Sequence, residues 1–169
     1  MAPRLSITHI ELTDLYLHRL PSATQKAFVF AAKHFPFLRS ASWYLAGGTA
    51  LALQVGHRQS VDLDFFLPQN SFRETILERR LLVTKKWVTT LRDEGTLYGE
   101  WNNAKMSFIA YPFFSPSPKR LQFGSLRMIL PHDIAAMKII AISQRGRKSD
   151  FLDLFWYCRN REKLTDVVL

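Results

Sequence analysis

The stretch YLAGGTALALQVGHRQSVDLDFF, Tyr44–Phe66, constrains the possible folds more than any other part of the sequence. Its first residues are apolar and predict a short buried strand, and Gly47-Gly48 predicts a sharp turn. Thr49 to Val55 predicts a helix that ends at Gly56. Ser60 to Leu67 predicts the return strand, because most of its residues alternate between polar and apolar. The chain therefore forms a strand, a turn, a helix and a second strand in close succession.

Two aspartates, Asp62 and Asp64, lie two positions apart on the predicted return strand. The period of two places them on one face of the strand, with Val61 and Leu63 on the opposite, apolar face. Their carboxylates are then about 6–7 Å apart, and they repel each other unless a positive charge lies between them. Mg²⁺ suits such a position, since it commonly takes one or two carboxylates together with substrate phosphates. A solvated polar strand face is the alternative.

The glycine turn lies next to the aspartates in the predicted arrangement. Gly47, Gly48 and Thr49 open a helix, where backbone amides and the helix dipole favour a bound phosphate, with help from the Thr49 hydroxyl. An ordinary turn is the alternative, because Gly-Gly is common punctuation. Twelve residues separate Thr49 from Asp62, which is enough chain for one short helix and a return strand. A phosphate cradle and a metal site would then meet at adjacent strand ends.

A second group of charged residues lies in the C-terminal part of the chain. Lys138 is the only charge between Ile134 and Ile142, so its helix is apolar nearly all round and its ammonium needs an anion. Asp150 and Asp153 are one turn apart in the next predicted helix. Lys138 either forms a buried ion pair with one of them or binds the triphosphate of a nucleotide, with an acid that orients the site.

The remaining elements predict a single α+β domain over residues 1–169. A helix runs from Ser22 to the residue before Pro36, three strands joined by tight turns occupy residues 82–111, and helices follow Pro131. We expect a mixed β-sheet with helices packed mainly on one face. The catalytic core would cover about residues 40–130, and a helical segment residues 131–169.

Composition limits the partners and the compartment. The net charge of +9 favours polyanionic partners such as RNA or nucleotides, although it also fits a basic surface without a function. Arg145, Arg147 and Lys148 are candidates for RNA contact, or else a solvated loop. No apolar run is long enough to cross a bilayer, and the single cysteine, Cys158, has no internal partner. We expect a cytoplasmic protein that does not bind membranes.

The segment GGTALALQVGHRQSVDLDFF resembles the first motif of the DNA polymerase β type nucleotidyltransferase superfamily, in particular its AbiEii/AbiGii branch of bacterial toxins. The C-terminal segment is similar to the third and fourth motifs of that branch, with Lys138, Ala141 and Arg145 followed by Asp150, Asp153 and Leu154. The resemblance implies a nucleotidyltransferase-like fold and transfer of NMP from an NTP. It also implies a cognate antitoxin. Together with the basic charge, it implies an RNA acceptor, the tRNA 3′ end.

The resemblance also assigns roles to the candidate residues. Asp62 and Asp64 would bind Mg²⁺, and Gly47, Gly48 and Thr49 would cradle phosphate. Lys138 would bind the triphosphate. Asp150 or Asp153 would orient Lys138 or activate the acceptor hydroxyl.

The middle strand departs from the pattern of the family. Related enzymes carry a third acid there, whereas AKMSFIAYPF has Lys105 and then Ser107 at that position, on one face of the strand. Catalysis would then need two acids and one metal ion, or an acid from elsewhere, such as Asp133, Asp150 or Asp153. A nucleotide- or RNA-binding module with weak or no activity is the alternative. A sugar-nucleotide glycosyltransferase is a further one, but it gives the lysine helix no role.

Overall fold

A computed structural model describes residues 4–168 of the chain. Its strands are β1 (Ser6–His9), β2 (Tyr44–Ala46), β3 (Leu63–Leu67), β4 (Trp87–Asp93), β5 (Thr96–Trp101), β6 (Ala104–Ala110), β7 (Lys119–Phe123) and β8 (Leu126–Ile129). They form one sheet in the order β1-β7-β8-β2-β3-β6-β5-β4, with both parallel and antiparallel pairs. The predicted mixed sheet is therefore confirmed.

Seven α-helices accompany the sheet in the described part of the chain. They are α1 (Ser22–His34), α2 (Pro36–Ser40), α3 (Gly47–Val55), α4 (Glu74–Leu82), α5 (Pro131–Gln144), α6 (Lys148–Asn160) and α7 (Leu164–Val168). Proline opens α2 and α5, where its missing amide hydrogen is not needed. Gly56 ends α3 in the left-handed conformation with a φ of 65°, as a glycine cap does. None of the helices described has both the length and the apolar character needed to span a bilayer.

The central strand β3 separates the core from the polar side of the sheet. Leu63, Phe65 and Leu67 are buried on one face, and Phe65 stacks on Phe108 of β6 with ring centroids 5.2 Å apart. β3 begins at Leu63 instead of Ser60, because the backbone of residues 60–62 is hydrogen-bonded to Arg19, Thr24 and Thr49. Val61, which was predicted to share the apolar face of the strand with Leu63, is instead 53% exposed.

Two strands, β1 and β7, were not predicted from the sequence. β1 pairs in parallel with β7, and β7 pairs antiparallel with β8. β1 has no buried residue, so its sequence lacks the alternation that identifies a half-buried strand. By contrast, the predicted meander of β4, β5 and β6 is confirmed, since both of its connections are tight turns.

The C-terminal helices form a layer on α3. α5 contacts α3 and α6, and α6 also contacts α3. A small cluster of Ala135, Tyr157 and Val167 joins α5, α6 and α7. This layer leaves the polar side of β3, β6 and β5 uncovered, and a cavity lies there.

Candidate active site

The cavity has a volume of about 790 Å³ and lies between the polar side of β3, β6 and β5 and the helices α3, α5 and α6. Most of the residues singled out from the sequence line it, although they come from distant parts of the chain. They are Gly47, Gly48, Asp62, Asp64, Lys105, Ser107, Lys138, Arg145, Arg147 and Asp150. Thr49, Lys148 and Asp153 do not line it.

The two glycines at the start of α3 allow side chains to approach its backbone closely. Gly47 has a φ of 71°, and a Cβ on it would lie 3.2 Å from Oδ2 of Asp64. A Cβ on Gly48 would lie 2.0 Å from a guanidinium nitrogen of Arg58. The first turn of the helix is therefore packed directly against an acid of the site and against a cation.

The Thr49 side chain bonds to the backbone and does not line the cavity. Its side chain is buried with 1% exposure, and its hydroxyl donates to the carbonyl oxygen of Asp62. The same hydroxyl lies 2.8 Å from Oγ of Ser60. The expectation that this hydroxyl helps to cradle phosphate is therefore corrected: it fixes the segment that carries Asp62.

The two aspartates offer oxygens to a cation. Oδ1 of Asp64 accepts a hydrogen bond of 2.6 Å from Oγ of Ser107. Loss of hydration raises the pKa of Asp64, the Ser107 bond opposes this, and the charge of Asp62 adds to the increase. Oδ1 of Asp62 is buried and has no hydrogen-bond partner among residues 4–168. An unpaired buried carboxylate oxygen next to a second carboxylate fits a hard divalent cation.

Ser107 lies where the sequence placed it. It pairs in register with Asp64 across β3 and β6, and alternation puts it on the cavity side. Instead of a third carboxylate, the position supplies a donor to Asp64. No group of three or more acids, histidines or cysteines within the described residues is arranged to hold a metal ion, so a bound Mg²⁺ would rely on two carboxylates.

Lys138 lies between two fully buried acids. Its Nζ is 2.8 Å from Oδ1 of Asp150 and 2.9 Å from Oδ2 of Asp153. Both carboxylates have no exposed surface, and Lys138 itself is 6% exposed. The ion pair that the apolar helix required is therefore present, and it joins α5 to α6.

Further cations complete the shell around both acids. Asp153 accepts from Nε and Nη2 of Arg58 at 2.6 and 2.8 Å and lies 2.7 Å from Nε2 of His57. Asp150 accepts from Nε of Arg145 at 3.1 Å. Burial raises the pKa of each carboxyl, but these hydrogen bonds and the charge of Lys138 outweigh it and hold both pKa values below the usual range.

Three acids that were proposed as general bases already have hydrogen-bond or ion-pair partners. Asp150 and Asp153 are saturated by cations, and their lowered pKa values make them weak proton acceptors, so the acceptor-activating role is corrected for both. Of the two roles that the sequence left open for them, orientation of Lys138 is the one that the geometry allows. Asp133 accepts from the backbone amide and the hydroxyl of Ser117, at 3.0 and 2.8 Å, and fastens the proline-rich connector to α5.

Two charged residues of the cavity were missed in the sequence. Arg58 lies inside the first motif, between the end of α3 and the aspartates, and a basic residue this close to two candidate metal ligands was a usable signal. Glu100 of β5 also lines the cavity. Its position on the polar face could have been read from the alternation with Leu97 and Trp101, which are 0% and 2% exposed.

A glycine turn at a helix start lies beside Asp62, just before β3, and Asp64 within it, which matches the nucleotidyltransferase-like fold expected from the sequence, and solved structures agree. The chain is similar to the Megavirus polyadenylate synthase with a TM-score of 0.51 and 15% identity, over 83% of this chain and 32% of that one. It is also similar to JHP933 from Helicobacter pylori with a TM-score of 0.52 and 16% identity, over 84% of this chain and 68% of that one. At these identities the likeness shows the fold alone, and the predicted fold class is confirmed.

Sequence comparisons match parts of the chain. Residues 37–114 match the family model described as nucleotidyl transferase AbiEii toxin, Type IV TA system, so the predicted resemblance is confirmed over that range. An uncharacterized protein of Aquifex aeolicus (strain VF5) is 37% identical over 121 residues, which is 69% of this chain. The chain spans 58% of the length of that relative. The family match ends before α5, so the assignment of Lys138 and its partners depends on their geometry.

Proposed function

We propose that this chain is a Mg²⁺-dependent nucleotidyltransferase of toxin type, which transfers NMP from an NTP to RNA, with the 3′ end of tRNA as acceptor. The observation that carries the proposal is the buried, unpartnered Oδ1 of Asp62 beside Asp64, in a cavity that Lys138 and Arg145 also line. Two carboxylates that suit a cation and two cations that suit phosphates therefore line one cavity, which supports the proposal. The family description, a nucleotidyl transferase toxin, supports the same chemistry.

Each part of the cavity has a task in this proposal. Asp62 and Asp64 bind Mg²⁺, which when bound neutralises phosphate charge and polarises the phosphoryl group. The backbone at Gly47 and Gly48 faces the phosphates at the start of α3. Ser107 holds Asp64 in one rotamer by its hydrogen bond.

The cations around the cavity suit a triphosphate. Three cations surround the two buried carboxylates of Asp150 and Asp153, so the group carries a net charge of +1. The cations are Arg58, Lys138 and Arg145. The buried acids fix these cations in position, so little rearrangement is needed when an anion enters. We assign Lys138 and Arg145 to the triphosphate, and add Arg58, whose guanidinium lies over the first turn of α3.

Surface charge supports RNA as the acceptor. The protein carries a net charge of +9, and Arg147 on the rim of the cavity and Lys148 beside it are exposed. Lys105 lines the cavity from β6 and is exposed as well. Such residues bind the backbone of RNA without reading its sequence. The Type IV toxin–antitoxin description supports a cognate antitoxin as a protein partner, and we place the protein in the cytoplasm with both partners.

Labelled nucleotides test the proposal directly. The protein is incubated with Mg²⁺, total RNA and each NTP labelled at the α-phosphate, and the RNA is separated and counted. We expect label on RNA with one NTP, and its loss in Asp62→Asn and Lys138→Ala. Asp93→Asn and Lys163→Ala are matched controls, because both residues are exposed and lie outside the cavity. Label that survives Asp62→Asn would refute the roles assigned here.

A binding module without catalysis is the second candidate function. Ser107 in place of a third acid favours it, as does the lack of a three-ligand metal group in the described residues. It predicts that labelled NTP binds in Mg²⁺ and that no RNA becomes labelled. Equilibrium dialysis with the NTP, run beside the transfer assay, separates the two functions.

A further inference from the structure

One acid of the cavity has neither a partner among residues 4–168 nor a role in the proposed metal site. Four acids line it, namely Asp62, Asp64, Glu100 and Asp150. The first two face the proposed cation, and Asp150 is fully buried between Lys138 and Arg145. Glu100 has neither a hydrogen bond to its side chain nor an ion pair with any residue in the 4–168 range. It is half-buried, so it is accessible from the cavity.

The register of the sheet places Glu100 near the position of the absent acid. Ser107 pairs with Asp64 on one side and with Tyr98 on the other, and Glu100 is two residues beyond Tyr98 on the same face. Glu100 is therefore a diagonal neighbour of Ser107 across β5 and β6. Diagonal neighbours have Cβ atoms about 7–8 Å apart, within reach of a long side chain. A glutamate there approaches the space that a carboxylate at position 107 would occupy.

The surroundings of Glu100 suit an acid that meets a substrate. Lys105 is its direct cross-strand partner, so an opposite charge lies on the same face without forming an ion pair. Glu100 is on β5, which is two strands from β3 and Asp64, and Lys105 is on β6 between them. An acceptor that enters the cavity along β5 would thus meet a free carboxylate two strands from Asp64.

We propose that Glu100 binds the acceptor hydroxyl of the RNA and takes its proton, in place of the acid that Ser107 does not provide. The proposal rests on the proposed function. The O–H bond breaks and its proton goes to the carboxylate of Glu100, while the hydroxyl oxygen forms a bond to the α-phosphorus. The bond from the α-phosphorus to the bridging oxygen breaks, and pyrophosphate leaves with that electron pair.

Single-turnover transfer is the first test. Glu100→Gln keeps the shape of the side chain but cannot accept the proton, so we expect the rate to fall by about 10²–10⁴-fold. The affinity for the NTP stays within about twofold, because Glu100 is on the acceptor side. Glu94→Gln is the matched control, since Glu94 is exposed in the β4–β5 turn and does not line the cavity. A rate in Glu100→Gln within about threefold of wild type overturns the proposal.

A binding cycle tests the contact without turnover. The acceptor RNA is prepared with a 3′-terminal adenosine or 3′-deoxyadenosine and is bound in the presence of an NTP analogue that cannot be cleaved. We expect wild type to prefer the hydroxyl by about 10- to 100-fold, the value of one charge-assisted hydrogen bond, and Glu100→Ala to show no preference. Equal affinity of wild type for both RNAs overturns the proposal, as does a preference that persists in Glu100→Ala.

The two tests also separate this proposal from the proposed function. If wild type labels RNA and Glu100→Gln does so equally well, Glu100 loses its role and the nucleotidyltransferase assignment stands. If wild type labels no RNA, that assignment fails, and the preference for the terminal hydroxyl still decides whether Glu100 contacts it.

Discussion

Replacing Asp153 by asparagine should unfold the protein at much lower denaturant concentrations. Asp153 accepts from Arg58, His57 and Lys138, and its Oδ2 alone lies 2.8 Å from Nη2 of Arg58 and 2.9 Å from Nζ of Lys138. In Asp153→Asn an amide nitrogen takes the place of one oxygen. It then faces a cationic donor, and the negative charge is lost.

The magnitude follows from those contacts. Two charge-assisted hydrogen bonds are lost at about 1.5–3 kcal/mol each, which gives about 3–6 kcal/mol. Removing one partner of a buried ion pair typically costs about 3–5 kcal/mol, in agreement with that sum. Since domains of this kind are stable by about 5–15 kcal/mol, the loss is a large fraction of the free energy of unfolding.

Urea denaturation followed by tryptophan fluorescence measures this loss. Asp166→Asn is the control, because Asp166 is exposed in α7, and it should change the free energy of unfolding by less than about 0.5 kcal/mol. The double variant Asp153→Asn, Arg58→Gln should lose less than the sum of the single variants, with a coupling of about 0.5–3 kcal/mol. If the free energy of unfolding of Asp153→Asn is within about 1 kcal/mol of the wild-type value, the contacts of Asp153 with Arg58, His57 and Lys138 do not stabilise the fold as argued.

Three further predictions concern the glycine turn, the strand serine and the acid range of pH. Gly48→Ala places a Cβ 2.0 Å from Arg58, which Asp153 holds in place, so thermal melting should report a loss of about 1–3 kcal/mol. Ser107→Ala removes the donor to Asp64, and calorimetry should show about five- to tenfold weaker Mg²⁺·NTP binding; unchanged affinity would contradict the role of that bond. Asp150 and Asp153 have lowered pKa values in the fold, so their stabilisation is complete above about pH 4 and is lost as the pH falls towards the folded values. The urea concentration at the unfolding midpoint, measured at a series of pH values from 5 downward, should therefore decrease once the pH is below about 4. The decrease should be less steep in Asp153→Asn.

The first motif was readable because its contacts are local. Gly47 and Gly56 act through positive φ angles within their own turns, and the spacing from Thr49 to Asp62 allows one helix and one strand. The mixed sheet and the burial of Lys138 in an ion pair also followed from patterns within short segments. The family resemblance placed Ser107 at the position of the third acid, alternation put it on one face with Lys105, and the structure pairs it with Asp64.

Contacts between distant segments were decided only by the tertiary structure. The sequence required an anion for Lys138, but it could not show that Arg58 and His57 cross 95 and 96 residues to reach Asp153. It gave no sign that β1 would pair with β7, or that Glu100 would lie on the same cavity as Asp64. Propensity and periodicity act over a few residues. These long-range partners form only when whole helices and strands pack together, and each buried charge then needs a counter-charge from whichever element is next to it. The sequence by itself thus determined which residues needed a partner, and the packed fold decided which partner each one received.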